Sequence, residues 1–122
     1  MIRRMLQAGT AAAMLIAGTM SAGEQTFTAR VLRVGDSYGN LDTDLAAEAL
    51  GLPYGAAFRL ECGDRSFEAT WTVWYSEVPP GDWLGLANED GNVQLAINGD
   101  DADAVCGCGV GDVLTIRTSG SP

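Results

Sequence analysis

The chain contains no histidine and no lysine, only three cysteines, and 7% aromatic residues. Without histidine there is no Ser-His-Asp or Cys-His nucleophile pair, no imidazole base and no imidazole metal ligand. Without lysine, all side-chain positive charge rests on 7 arginines, set against 16 acidic residues, for a net charge of −9. That balance excludes a protein that holds nucleic acid through a basic face. Three cysteines fall one short of a four-thiolate metal site. No apolar run reaches the roughly 20 residues needed to span a membrane. Glycine, by contrast, is plentiful at 16 of 122 residues, and the length fits one domain.

The first 22 residues have the order of a signal peptide. Arg3 and Arg4 form the positive start, an apolar run follows from Ala8 to Ala17, and Gly18, Thr19, Ser21, Ala22 and Gly23 are small. Cleavage is expected between Ser21 and Glu24, and no cysteine lies nearby for a lipid anchor. Arg3-Arg4 also resembles a twin-arginine signal, but Ile2 stands where that pattern has a polar residue, so the general secretory route is preferred. The expected location is periplasmic or secreted. Processing removes two arginines and no acids, which leaves 5 Arg, 16 acids and a net −11. Such a surface favours solubility and repels nucleic acid and anionic membranes.

The remainder, residues 23–117 with a flexible tail over 118–122, reads as all-β. Thr26 to Val34, Ala57 to Cys62, Ser66 to Tyr75, Trp83 to Ala87, Val93 to Ile97 and Val113 to Arg117 read as strands. Leu45 to Leu50 and Ala102 to Val105 read as short helical turns, and Gly63-Asp64 as a hairpin turn. Pro79-Pro80-Gly81-Asp82 interrupts any strand. Six or seven short strands at close spacing predict a small closed β-barrel, mostly antiparallel.

Four groups of residues carry chemistry. The string Asp36-Ser37-Tyr38-Gly39-Asn40-Leu41-Asp42-Thr43-Asp44 is dense in hydrogen-bonding groups. The Asn40 amide both donates and accepts, which suits a purine edge or a sugar, and Tyr38 offers a stacking face. The plainer reading is a turn whose Asp and Asn side chains bond their own backbone. Asp42 and Asp44, two apart, would share one face of a strand, as an acid/base pair or as a solvated face. Glu89-Asp90 and Asn98 to Asp103 form acidic loops without the EF-hand order. Cys62, Cys106 and Cys108 read as buried thiols, as one disulfide from Cys62 to either of the others, or as a redox group. Alternation along Ser66 to Tyr75 places Trp71 and Tyr75 on one face and Trp74 on the other.

Taken together, these strings resemble one family. Asp36-x-Tyr38-Gly39-Asn40-x-x-Thr43-Asp44 resembles the D-x-F-G-N-x-x-T-N signature of the S-adenosylmethionine hydroxide adenosyltransferases and their fluorinase and chlorinase relatives. Trp74 to Asp82 is similar to their T-Y-x-D-V-P-P-G-E segment, and Leu86 to Asn98 to L-x-N-S-S-G-x-L-E-I-A-V-N. Ala102 to Asp112 follows their A-A-x-x-L-G-L-x-V-G-D ending. The likeness is to the C-terminal domain alone, which in that family is a small β-barrel behind a larger catalytic α/β domain. It implies trimers, with a nucleoside held between one subunit's N-terminal domain and the next subunit's barrel.

Carried over residue by residue, the resemblance makes Asn40 the reader of the adenine edge and Tyr38 the aromatic of that motif. Tyr75 becomes a ring that packs on the base, and Asn98 and Gly99 the loop that closes around it. Glu89 and Asp90 replace small hydroxyl residues beside the amino-acid end of the substrate, and Asp44 replaces an asparagine. Cys106 and Cys108 stand where the family has two leucines.

The expectation is therefore an exported, standalone barrel, non-catalytic by itself, that binds an adenosyl or nucleoside-type ligand or a partner. No residue is assigned to catalysis or to a metal, and no cofactor is expected. The alternatives are half of a split adenosyltransferase completed by a separate N-terminal-domain protein, a structural barrel without a ligand, and a thiol redox protein. The candidate partners are an adenine-containing small molecule, further copies of the chain as a trimer, or that separate protein.

Overall fold

The computed structural model describes residues 24–119. The expected signal peptide and the last three residues lie outside the described residues. Seven strands follow one another: β1 (Gln25–Val34), β2 (Leu41–Ala46), β3 (Ala57–Cys62), β4 (Arg65–Trp71), β5 (Trp83–Ala87), β6 (Asn92–Ile97) and β7 (Val113–Thr118). Two short helices, α1 (Ala47–Leu50) and α2 (Ala102–Cys106), and a 3₁₀ turn at Tyr75–Glu77 join them. The strands close into a barrel in the order β1-β2-β6-β5-β4-β3-β7 and back to β1. Every pairing is antiparallel except β4 with β5. This is the small closed all-β barrel expected from the sequence.

Alternation fills the interior. Ala29 and Val31, Leu41 and Thr43, Phe58 and Leu60, Ala69 and Trp71, Val93 and Leu95, and Leu114 and Ile116 are buried at every second position of their strands. The buried Thr43 hydroxyl donates to the Val93 carbonyl at 2.8 Å, so its polar atom is satisfied. Gly85 leaves room for two rings. A Cβ there would stand 2.8 Å from the tip of Phe58 and 3.2 Å from Trp71. Those rings meet edge-on at 6.4 Å between centroids.

The run Trp83-Leu84-Gly85-Leu86 is continuously apolar because β5 is covered on both sides. Trp83 belongs to the main core, while Leu84 and Leu86 form a second cluster with Ala96 and Val78. Val78 comes from the segment that joins β4 to β5. A parallel pair cannot be closed by a tight hairpin, so this segment has to leave the sheet and return. Its return is fixed by backbone bonds from Gly81 N–H to the Asn98 carbonyl and from Asn98 N–H to the Asp82 carbonyl.

Three local expectations differ from the structure. The strand expected over Ser66 to Tyr75 ends at Trp71, because the chain must begin its crossover there. Trp74 and Tyr75 therefore both lie exposed beyond the strand instead of on opposite sheet faces. A strand, β2, occupies Leu41–Ala46 and takes in Leu45 and Ala46 from the expected helical turn; only Ala47–Leu50 is helical. Thr118 is buried as the last residue of β7 and pairs with Gln25 and Phe58, so the barrel takes in the first residue of the expected tail.

Gly85→Ala is expected to destabilise the barrel by about 1–3 kcal/mol through overpacking against Phe58 and Trp71. Urea unfolding followed by tryptophan fluorescence measures it; an unchanged midpoint would show that the rings move aside without cost.

Candidate functional site

Three loops meet at one end of the barrel. The first, between β1 and β2, is closed by Gly35 N–H donating to the Asn40 carbonyl at 2.8 Å. It is also docked on α2, through Ala102 N–H to the Tyr38 carbonyl and Asp103 N–H to the Gly39 carbonyl, both 3.0 Å. Gly39 is required at that contact. It has φ +61, and a Cβ would fall 2.0 Å from an Asp103 carboxylate oxygen. The second loop is the crossover, whose 3₁₀ turn is held by the Glu77 carboxylate accepting from Val73 N–H at 2.9 Å. The third is the turn after β6, with Gly99 at φ +81.

A cleft of about 400 Å³ opens between them, lined by Ser37, Tyr38, Asn40, Tyr75, Ile97, Asn98 and Gly99. All five residues singled out from the sequence thus line one cleft, with Ser37 and Ile97 added. The Tyr38 and Tyr75 side chains are 57% and 41% exposed, so the aromatic surface at the cleft is open to a ligand. Asn98 also does structural work, donating Nδ2–H to the Val78 carbonyl at 2.8 Å and so tying the third loop to the crossover.

The amide of Asn40 is oriented by a relay of hydrogen bonds. Asn40 Nδ2–H donates to the Tyr75 hydroxyl at 3.1 Å, and that hydroxyl donates to Gln94 Oε1. Gln94 Nε2–H donates to Asp42 Oδ1 at 2.6 Å. Asp42 further accepts from Asn88 Nδ2 at 3.1 Å and from both Nε and a terminal nitrogen of Arg33, at 3.0 and 2.6 Å. The carboxylate is nearly buried, whereas the Arg33 side chain is 63% exposed. Burial acts to raise the Asp42 pKa, but the hydrogen bonds from Gln94, Asn88 and Arg33 outweigh it and hold the carboxyl below its ordinary range. The Arg33 guanidinium is correspondingly raised, first by its hydrogen bond to Asp42.

This corrects the reading of Asp42 and Asp44 as a pair. Asp42 is buried in the relay, while Asp44 is exposed and caps the Arg30 N–H at 2.8 Å. Glu89 and Asp90 lie exposed on the turn before β6 and contribute no lining to the cleft. Gln94 was missed from the sequence. Its signal is weak: it is the one polar residue within Val93–Ile97, on a strand that opens with the polar Asn92.

The three cysteines gather at a second place. Cys62 and Cys106 are buried and Cys108 half-buried, all free thiols. Hydrogen bonding from Cys62 leads the effects that draw the Cys106 thiol down to about 6, against an opposing effect of burial. Burial pushes the Cys108 thiol up to about 11. Cys62 is raised, first through its hydrogen bond to Cys106.

Residues 29–115, nearly the whole barrel, match the SAM hydroxide adenosyltransferase C-terminal domain. The chain belongs to that family. An uncharacterized conserved protein from Thermotoga maritima superposes with TM-score 0.70 at 24% identity, over 75% of this chain and 35% of that one. A conserved hypothetical protein from Thermus thermophilus gives TM-score 0.55 at 26% identity, over 73% and 34%. The chain thus spans about a third of the length of these solved structures. No curated protein matches it.

Asp42→Asn is expected to cost about 2 kcal/mol at neutral pH by removing the charged acceptor of the relay. Because the folded pKa is lowered, the stabilisation is complete above the ordinary carboxylate pKa of about 4 and is lost as pH falls through the folded value. The gap between wild type and variant in chemical unfolding should close on acidification; a gap independent of pH would refute this role.

Proposed function

We propose that this SAM hydroxide adenosyltransferase C-terminal domain binds an adenosine-type ligand in the Tyr38/Asn40/Tyr75 cleft and performs no chemistry alone. The observation that carries the reading is the oriented Asn40 amide. With one N–H committed to Tyr75, the carbonyl oxygen and the second N–H have no hydrogen-bond partner among the described residues. An amide presenting one acceptor and one donor complements the amino group and adjacent ring nitrogen of adenine. Tyr38 and Tyr75 supply aromatic surface for the base. The gathering of Tyr38, Asn40, Tyr75, Asn98 and Gly99 in one cleft argues against a barrel that kept only its fold.

Displacement at a sugar carbon needs a desolvated nucleophile and a closed pocket. This cleft is open, and no His, Lys or paired carboxylate lines it. A second reading is half of a split adenosyltransferase. It draws support from the exposed Val73 and Trp74 on the same crossover as Tyr75, an apolar rim suited to a missing partner domain or to neighbouring copies in a trimer. Periplasmic or secreted placement belongs to the proposal and rests on the N-terminal sequence.

Calorimetric titration of the purified protein with adenosine and with S-adenosylmethionine tests the site. Binding is expected, and Asn40→Ala should weaken it about tenfold or more, the worth of one or two hydrogen bonds. Tyr75→Phe, which leaves Asn40 unanchored, should weaken it less. Absence of heat at millimolar ligand, or binding indifferent to Asn40→Ala, would overturn the nucleoside reading.

A further inference from the structure

At a site separate from the adenosine cleft, the fold assembles a second candidate binding site from its three cysteine thiols. Cys62 ends β3, Cys106 ends α2, and Cys108 lies two positions further on. The glycine between the last two has φ +73, and its N–H closes the helix on the Asp103 carbonyl at 2.9 Å. This left-handed turn lets a Cys-Gly-Cys segment present both thiols toward the strand end that carries the third. The three Sγ atoms lie within 4.8 Å of one another. They border an open cleft of about 410 Å³, which Gly63, Asp64, Arg65 and Asp112 also line. The Arg65 guanidinium, on the wall of this cleft, donates to the Val105 carbonyl at 2.6 Å.

We propose that Cys62, Cys106 and Cys108 form a three-coordinate thiolate site for a soft monovalent cation, with copper(I) as the natural occupant. The spacing fits. Three sulfurs around a metal at about 2.3 Å stand about 4 Å apart, so the thiols need to close by less than about 1 Å. The donor set is soft only, with no imidazole anywhere in the chain, and thiolates select copper(I) over hard ions. Among the described residues no carboxylate oxygen lies within 4.8 Å of all three sulfurs, so the protein itself supplies three ligands and not four. An entry path exists, because Cys108 is only half-buried and faces the cleft. A disulfide would instead require two sulfurs to approach to about 2.05 Å, and would leave the third thiol unused.

The test uses the full chain, reduced and held anaerobically. Copper(I) is titrated in competition with a chromophoric copper(I) chelator. One equivalent should bind, with thiolate-to-copper charge-transfer absorption. Cys108→Ser, at the least buried position, should retain the unfolding transition and weaken binding by at least about a hundredfold, since even outer-shell changes can cost that much. X-ray absorption of the copper-loaded wild type should show three sulfur neighbours and no lighter ligand, a readout independent of any variant. Nitrogen or oxygen in the shell, binding indifferent to Cys108→Ser, or preferential retention of zinc(II) would overturn the site. So would a single free thiol in the natively purified protein, which would mark a disulfide between two of the three.

Discussion

The negative charge of Asp42 sets the polarity of everything between the barrel wall and the cleft. An ionised carboxylate only accepts hydrogen bonds. Gln94 must therefore turn its NH2 toward Asp42 and its carbonyl toward Tyr75. The Tyr75 hydroxyl must then donate to Gln94 and accept from Asn40, which leaves the Asn40 side-chain carbonyl without a partner among the described residues. The order of the links has one consistent direction because one end is an anion. Arg33 and Asn88 keep that anion charged in a nearly buried position, where an unpaired carboxylate would take up a proton. An amide fixed in this way discriminates between donor and acceptor edges of a ligand, which a freely rotating one cannot do.

The barrel was legible in the sequence because its strands alternate and its turns carry glycine. Ala57 to Cys62 forms the expected strand, with Phe58, Leu60 and Cys62 facing inward, and Gly63-Asp64 makes the expected hairpin turn. The errors fall where tertiary constraint overrides local pattern. Ser66 to Tyr75 alternates well enough to read as one strand, yet the sheet has no place for residues beyond Trp71 once β5 pairs parallel to β4. Leu45 and Ala46 read as the start of a helical turn, yet they end a strand, because Asp42 and Thr43 find partners on the neighbouring strands that only the closed barrel supplies. Burying a charge and a hydroxyl in adjacent positions is not something local propensity can announce.

The cleft was legible for a different reason. Asn40, Tyr38, Tyr75, Asn98 and Gly99 came from motif resemblance, and the loops that carry them meet at one end of the barrel. Arg33 carries no motif, and Gln94 stands where the resembled segment has a glutamate, which gives no hint of its partners. Their importance lies in cross-strand geometry, which exists only after β1, β2 and β6 are laid side by side. The thiol cluster was readable as a set of three, but its compactness depends on the helix-ending Gly107 and on the strand end that meets it.

The single parallel pair also bears on how this fold can change over time. Between β4 and β5 the chain must reverse twice, and Val78 must reach back to cover Leu84 and Leu86. Such a segment can be lengthened at its exposed apex, around Trp74 to Glu77, without disturbing either strand. It cannot be trimmed to a two-residue turn, because that would force β5 to run the other way and would strip the cover from its outer face. Inheritance of this barrel should therefore show additions but not deletions there, and recognition surfaces borne on the crossover are free to grow while the sheet beneath them stays the same.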